Sequence, residues 1–408
     1  MTSVLQNTDI VKKAKERLVI TKPEMPIGYH WDVLNASAIK NINNMVTVQD
    51  VIKYIQTPST VKNVCDSGFD HRILASSFIK NVENYYNCMC YEFPMFSSKI
   101  LSMCDSPYAL PETLVDLNGK KVSNIYFWHM MSLLQCYTYI KDIETVCEIG
   151  GGYGGMARLW LNNTIAPVKC YIDVDFAESL FFADVYLKAN IPELKFLHVT
   201  TSDKLTQDVL SQYSVILCPL AFVDAISNLN IDLTINTGSM QEMTDDWIDF
   251  WMYWLKKQDC RWFYSLNYFA SPLSGMEETR STWSPRLSPE WTIRLQKYNP
   301  PFVKVHGIFN RSFAEILAQK LPSNICKYES QYTFLKEKIL DGQVLLETMD
   351  IIHSYPDENI MFDLLQRVVD MPVVPKEALY LAKYLNKTVS SSSLNKILNT
   401  LYFIRGSN

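Results

Sequence analysis

Val146-Cys147-Glu148-Ile149-Gly150-Gly151-Gly152-Tyr153-Gly154-Gly155 is the stretch on which the fold turns. Five of the chain's 13 glycines fall within six positions here, so the backbone must turn tightly or admit something at close range. The apolar run from Thr145 to Ile149 predicts a buried strand entering the glycines, and Met156 to Leu161 predicts the helix that leaves them. Strand, glycine loop and helix together predict a nucleotide-binding crevice.

Two loop chemistries fit these residues. Gly150-x-Gly152-x-x-Gly155 satisfies the dinucleotide fingerprint, which seats a pyrophosphate. Glu148-x-Gly150-x-Gly152-x-Gly154 satisfies the acidic-x-Gly-x-Gly-x-Gly pattern of S-adenosylmethionine-dependent methyltransferases. A carboxylate at position 148 repels a pyrophosphate and suits a ligand carrying an ammonium and a sulfonium.

Working outward, strands and helices alternate as a parallel sheet requires. Val168 to Asp173 is expected as the second strand, ending in an acid across the crevice from the glycines, where a carboxylate can accept from both hydroxyls of a ribose. Asp175 is open to the same role or to capping the next helix, from Phe176 to Ala189. Lys195 to Val199 reads as a third strand, with Asp203 beyond its end as an adenine contact, and Tyr213 to Leu220 reads as either an extra strand or a loop. A fourth strand ends at Asn236, and the loop after it presents Ser239, Gln241 and Glu242 where a transferring methyl would point. Asp245 and Asp246 fit a helix N-terminus better than a metal site. Arg261 to Asn267 is the fifth strand, 271 to 289 a Ser- and Pro-rich loop carrying Trp283 and Arg286, and 291 to 295 with 302 to 305 a closing antiparallel pair.

Before the crevice, Thr47 to Ile55 predicts an amphipathic helix opened by a Thr47/Asp50 capping box, 94 to 119 reads as loop, and Ile125 to Ile140 as a buried helix carrying His129. After it, 331 to 403 predicts helical hairpins. The expected domains are therefore a helical region at 1–123, serving as lid, acceptor or oligomer surface, an α/β domain at 124–312 and a helical region at 313–408 that packs on the sheet or mediates association.

Composition narrows the classes. A net charge of −5 gives no electrostatic reason to expect nucleic acid as a partner. The ten cysteines read as free thiols, Cys147 and Cys170 among them in strands, and Cys88-x-Cys90 lacks the second pair a zinc site needs. No leader-like start and no apolar run of about 20 residues is present, so a cytoplasmic protein without a membrane span is expected.

Four blocks then fall in register: EIGGGYGGMAR at 148 to 158, YIDVDF around Asp173, NTGSMQEM at 236 to 243 and YSLN at 264 to 267. Together, over roughly residues 125 to 300, they resemble the sugar O-methyltransferase family of bacteria. Val174-Asp175-Phe176 departs from the Leu-Pro-Glu expected there, and Gly238 and Met240 stand where bulkier residues are expected. The resemblance implies a class I methyltransferase fold: a Rossmann-like, doubly wound, mostly parallel seven-stranded sheet. It implies S-adenosylmethionine as donor, S-adenosylhomocysteine as product and a sugar or glycan hydroxyl as acceptor, with no metal indicated. Glu148, Gly150, Gly152, Tyr153, Gly154, Asp173, Asp203 and Asn236 would hold the donor, Glu242 first and His129 second would act as base, and Ser239, Trp283 and Arg286 would meet the acceptor. The competing readings are a nicotinamide-dependent oxidoreductase and an inactive scaffold acting through its helical ends.

Overall fold

The computed structural model describes residues 4–18, 23, 29–57, 71–102, 104–108, 115–117, 119–162, 165–166, 168–240, 243–270, 291–298 and 312–320. Two compact units divide the chain: Met1–Ser239 with 257–260 and 301–309, and Met240–Lys256 with 261–300 and 310–408.

The first unit opens with helices α1 (Thr8–Arg17), α2 (Tyr29–Asn44) and α3 (Val48–Gln56). Asn7 caps α1, its side chain accepting from the N–H groups of Asp9 and Ile10. Thr47 and Asp50 form the expected capping box on α3, whose Val48, Val51, Ile52 and Ile55 are all buried. Next come α4 (His71–Glu92) and α5 (Ser97–Ser102), then a hairpin of β1 (Val115–Leu117) and β2 (Lys120–Val122). The stretch from 94 to 119 is thus not plain loop. Pro94 starts a short 3-10 turn running into α5, because a proline at the first helical position loses no hydrogen bond. Helix α6 (Asn124–Tyr139), capped by Ser123, follows.

The central sheet of this unit is parallel: β3 (Thr145–Ile149), helix α7 (Gly155–Leu161), β4 (Cys170–Asp175), α8 (Ala177–Asn190), β5 (Phe196–His198), α9 (Val209–Gln212), β6 (Val215–Pro219) and β7 (Ile231–Thr237), in the order β5-β6-β4-β3-β7. This is a Rossmann-like arrangement with its order reversing at β3, the switch point outside whose strand ends doubly wound sheets bind their ligands. The sequence from 213 to 220 is a strand. It inserts between β4 and β5, pairing Tyr171 with Val215 and Asp175 with Pro219 on one side and His198 with Leu217 on the other. Its apolar, β-branched run Val215-Ile216-Leu217 is buried throughout, which suits an interior parallel strand. Helix α8 lies buried along nearly its whole length because α1 and α3 pack on it from outside, Tyr54 stacking on Phe182 at 5.0 Å. Trp160, Tyr171, Tyr186, Phe127 and Phe182 form the largest buried part of this core.

The second unit contains α10 (Asp245–Lys257), β8 (Cys260–Ala270), β9 (Trp291–Tyr298) and β10 (Ser312–Lys320). Strand β10 is antiparallel to both β8 and β9 and lies between them, so β8 and β9 run the same way around a reversed strand. The partner of 291–298 is therefore 312–320, and strand structure continues past residue 312 to Lys320. Residues 302 to 305 and the helices expected from 331 to 403 lie outside the described residues. The core of this unit is aromatic: Trp251, Phe263, Tyr264 and Trp291 are each essentially unexposed.

Candidate functional site

The site grows from the ends of β3, β4 and β7. The Gly150 N–H donates to Val174 O at 2.8 Å, extending the β3–β4 ladder one residue into the loop. Gly150 has φ +79°, and a Cβ there would stand 2.3 Å from Ser239 Oγ. A Cβ on Gly151 would lie 2.4 Å from Asp173 Oδ1. Both positions therefore need glycine, the first for its backbone as well as its size.

Three carboxylates meet under this loop. Glu148 and Asp173 are partners in the β3–β4 register and both are buried. Glu148 Oε2 accepts from the Tyr171 hydroxyl at 2.7 Å. Its pKa is moved up to about 8, burial being the main cause and the charge of Asp175 adding, against the Tyr171 hydrogen bond. Asp173 has no exposed surface, and neither of its oxygens has a partner at hydrogen-bond geometry; the Gly151 N–H favours its charge. Burial, then Glu148, then Asp175 push its pKa well above the ordinary carboxylate value. Asp175 keeps part of its surface and is moved least, to about 6, chiefly by burial and against hydrogen bonds from Gly152, Phe176 and Ser179. Its Oδ2 accepts from Gly152 N–H at 2.8 Å and its Oδ1 from Phe176 N–H at 2.6 Å. Asp175 is thus the tie between glycine loop and α8, whose N-cap position is held by Phe176.

Asn236 and Ser239 lock β7 to β3. The Asn236 amide donates to Ile149 O at 2.7 Å and to Ser239 Oγ at 2.5 Å, while the Ser239 hydroxyl donates to the same Ile149 carbonyl at 3.1 Å. These two residues, expected to meet donor and acceptor, build the loop's floor. His129 on α6 and the Tyr153 hydroxyl converge on Gly155, lying 2.8 and 2.6 Å from where its Cβ would be, so the half-buried histidine does reach the glycine loop. Gly152 and Gly154 take positive φ in the turn that starts α7.

Asp203 stands elsewhere. Because β6 intervenes, the end of β5 is one strand further from β4 than expected, and the exposed Asp203 carboxylate accepts from the Thr201 hydroxyl. Pro219, in register with Asp175, and Leu220 and Phe222 just beyond it take the place beside β4 that Asp203 was expected to fill. The apolar run before Pro219 signals a buried strand there, but not its place beside β4. Gln241, Glu242, Trp283 and Arg286 lie outside the described residues. Among the described residues no group of side chains could hold a metal ion, and no helix is long and apolar enough to cross a membrane.

No family model matches the chain, and no curated protein matches it. Solved structures are similar to it over about half to two thirds of the chain. A tRNA methyltransferase from B. subtilis is similar over 67% of this chain and 94% of its own, at 8% identity and a TM-score of 0.32. TrmK from M. capricolum, in complex with S-adenosylhomocysteine, is similar over 66% and 97%, at 13% identity and a TM-score of 0.28. A phosphoethanolamine N-methyltransferase from Haemonchus contortus, with phosphoethanolamine and S-adenosylhomocysteine, is similar over 52% and 48%, at 12% identity and a TM-score of 0.31. These are likenesses of fold. They correct one expectation: with a tRNA methyltransferase among them, nucleic acid is not excluded as a partner. The net charge is a sum over the chain and does not describe any one face of it.

Proposed function

We propose that this chain transfers the methyl group of S-adenosylmethionine to an oxygen nucleophile, with a sugar hydroxyl as the acceptor. The observation that carries the reading is the buried Glu148–Asp173 pair beneath the glycine loop. An unpartnered carboxylate costs free energy wherever it is buried, and it persists where a ligand's donors complete it. The orphaned oxygens of Asp173, and a loop in which a Cβ at Gly150 or Gly151 would collide, fit the nucleoside and amino-acid ends of such a donor. Glu148 lies under the same loop, and a bound ammonium, by favouring its ionised form, would make it the counter-charge.

When bound, the donor supplies an activated methyl group. The chain's own residues hold it and manage a proton. Asp175 fixes the loop through the Gly152 N–H, and Asn236 with Ser239 fixes the β7 exit against β3. His129, beside Tyr153 at Gly155, and Glu242 are the two side chains for the acceptor's proton. The sugar acceptor rests on the four sequence blocks. A dinucleotide-binding oxidoreductase fits less well, because Glu148 would oppose a pyrophosphate.

The test is calorimetric titration with S-adenosylhomocysteine and with NADH, followed by transfer from methyl-labelled donor to a panel of nucleotide sugars, oligosaccharides and total tRNA. Micromolar binding of S-adenosylhomocysteine alone, with label appearing in a sugar, is the expected result. Label in tRNA and not in sugars would move the acceptor class, and tight NADH binding would end the donor assignment.

A further inference from the structure

Tyr171 makes the only side-chain hydrogen bond that Glu148 has among the described residues, its hydroxyl donating to Oε2 at 2.7 Å. The phenol has no exposed surface, and burial together with the charge of Glu148 keeps it protonated, so it can donate but cannot neutralise. Oε1 is left without a donor from any described residue.

No cation stands in this cluster. Around Glu148 are Cys147 on β3 itself and Tyr171, Asp173 and Asp175 on β4, with Cys218 on β6 and Glu178 on α8 beyond them, every one neutral or acidic. On its other side β7 sets Ile235 in register with it. The basic groups described on the neighbouring helices are engaged elsewhere: His129 of α6 at Gly155, Arg158 of α7 with Asp105, and Lys188 of α8 with Asp184. Asp173, in register with Glu148 and with both oxygens unpartnered, is equally buried. Two adjacent buried carboxyls without a counter-charge do not both ionise, so the protein alone keeps a proton on Glu148 at neutral pH.

We propose that Tyr171 is a positioning residue of the donor site: its phenol fixes Oε2 so that Oε1 meets the donor's ammonium, and donor binding expels the Glu148 proton to solvent. The proposal rests on the methyl-transfer reading, since the ammonium is the donor's. The carboxyl O–H bond breaks, its proton passes to the buffer, and the carboxylate left behind pairs with the ammonium. Proton and ammonium compete for one oxygen, so donor affinity rises with pH until Glu148 is ionised in the protein alone, at about pH 8. Without the phenol the proton is held more tightly, because that hydrogen bond favours the charged carboxylate.

The test is calorimetric titration of the full chain with S-adenosylhomocysteine, which carries the same ammonium. At pH 7, in phosphate and in Tris, the dependence of the heat on the buffer's ionisation enthalpy counts the protons released; further titrations at pH 6 and 9 give the affinity profile. About one proton should leave the wild type, and about one fewer should leave Glu148→Gln. Wild-type affinity should rise about tenfold from pH 6 to pH 7. Tyr171→Phe, which keeps the ring, should weaken binding about tenfold at pH 7 but only about twofold at pH 9, whereas lost packing alone would weaken it equally at both. Glu148→Gln carries the test if Tyr171→Phe has a lowered melting temperature. An equal proton count in wild type and Glu148→Gln, or a Tyr171→Phe loss that does not change with pH, would overturn the proposal and leave the donor assignment standing. No binding of S-adenosylhomocysteine at any pH would overturn both.

Discussion

The Tyr171 hydroxyl reaches across from β4 to donate to Glu148 Oε2 at 2.7 Å, with both side chains buried. Tyr171 pairs with Val146 in the strand register, so its ring spans two residues along β3 to reach the carboxyl. A phenol is a neutral partner. It satisfies one oxygen of Glu148 without neutralising a negative charge, so burial wins and the pKa rises to about 8 from an ordinary 4.5. The folded state thus holds a proton that the unfolded chain releases above about pH 4.5. Stability contributed by that proton is complete at low pH, falls as pH rises between 4.5 and 8, and is gone above 8. In Glu148→Gln the decline should be shallower, since Glu148 drops out and Asp173, Asp175 and Asp105, the other buried carboxyls with raised pKa values, are left to carry it. Urea unfolding at pH 5, 7 and 9 measures this, and an unchanged slope in the variant would refute the assignment.

Gly151 and Asp173 compete for one volume. A methyl group at 151 would sit 2.4 Å from the fully buried carboxyl of Asp173, so Gly151→Ala should destabilise by about 1–3 kcal/mol and weaken donor binding. The double variant Gly151→Ala/Asp173→Ala removes the obstacle. It should recover about 1 kcal/mol or more relative to the sum of the single changes, because residues in contact couple. Strict additivity in a double-mutant cycle would show that the loop simply moves aside.

The Ile149 carbonyl is the anchor on which the β7 loop hangs. Asn236→Ala removes its shorter hydrogen bond at a fully buried position and should cost about 1–3 kcal/mol. Ser239→Ala leaves the amide in place and should cost less, about 1 kcal/mol. Denaturant midpoints of the two variants give the comparison, and a larger effect at Ser239 would reverse the assignment of the anchor.

Local patterns made much of this fold readable in advance. The capping box at Thr47 and Asp50, the strand–glycine–helix unit and the acid in register with Glu148 are short-range features, set by backbone chemistry within a few residues. The position of β6 was not readable, because an apolar run fixes that a strand is buried but not which neighbours it chooses. That single insertion moved Asp203 away from β4. Asp175 was ambiguous for a related reason: the same carboxylate can cap a helix or tie a loop, and only the position of Gly152 decides between them. The loop reading of 94 to 119 missed the helical turn that Pro94 begins.

Arg158, on the helix that leaves the glycine loop, is only 8% exposed and is held from outside the α/β elements. Its guanidinium lies 3.7 Å from Asp105 and donates to Cys104 O at 3.3 Å, while Asp105 accepts from the Ser123 hydroxyl and the Ser106 N–H. Burial raises the Asp105 pKa, with Ser123 and then Arg158 opposing it, so the pair stands only while all of these groups are present. Asp105→Ala would leave a buried guanidinium without its counter-charge, at a cost of about 3–5 kcal/mol; Asp105→Asn, whose amide oxygen can still accept from the Ser106 N–H, should cost less. The same contact bears on where the α/β domain begins. Residues 1–123 lie in one compact unit with the glycine loop, and α1 and α3 cover α8, so a fragment starting at residue 124 would expose both Arg158 and that apolar face. It should be insoluble or unfolded by circular dichroism. A fragment that melts cooperatively and binds S-adenosylhomocysteine like the full chain would show that the N-terminal helices are an appendage, not part of the core.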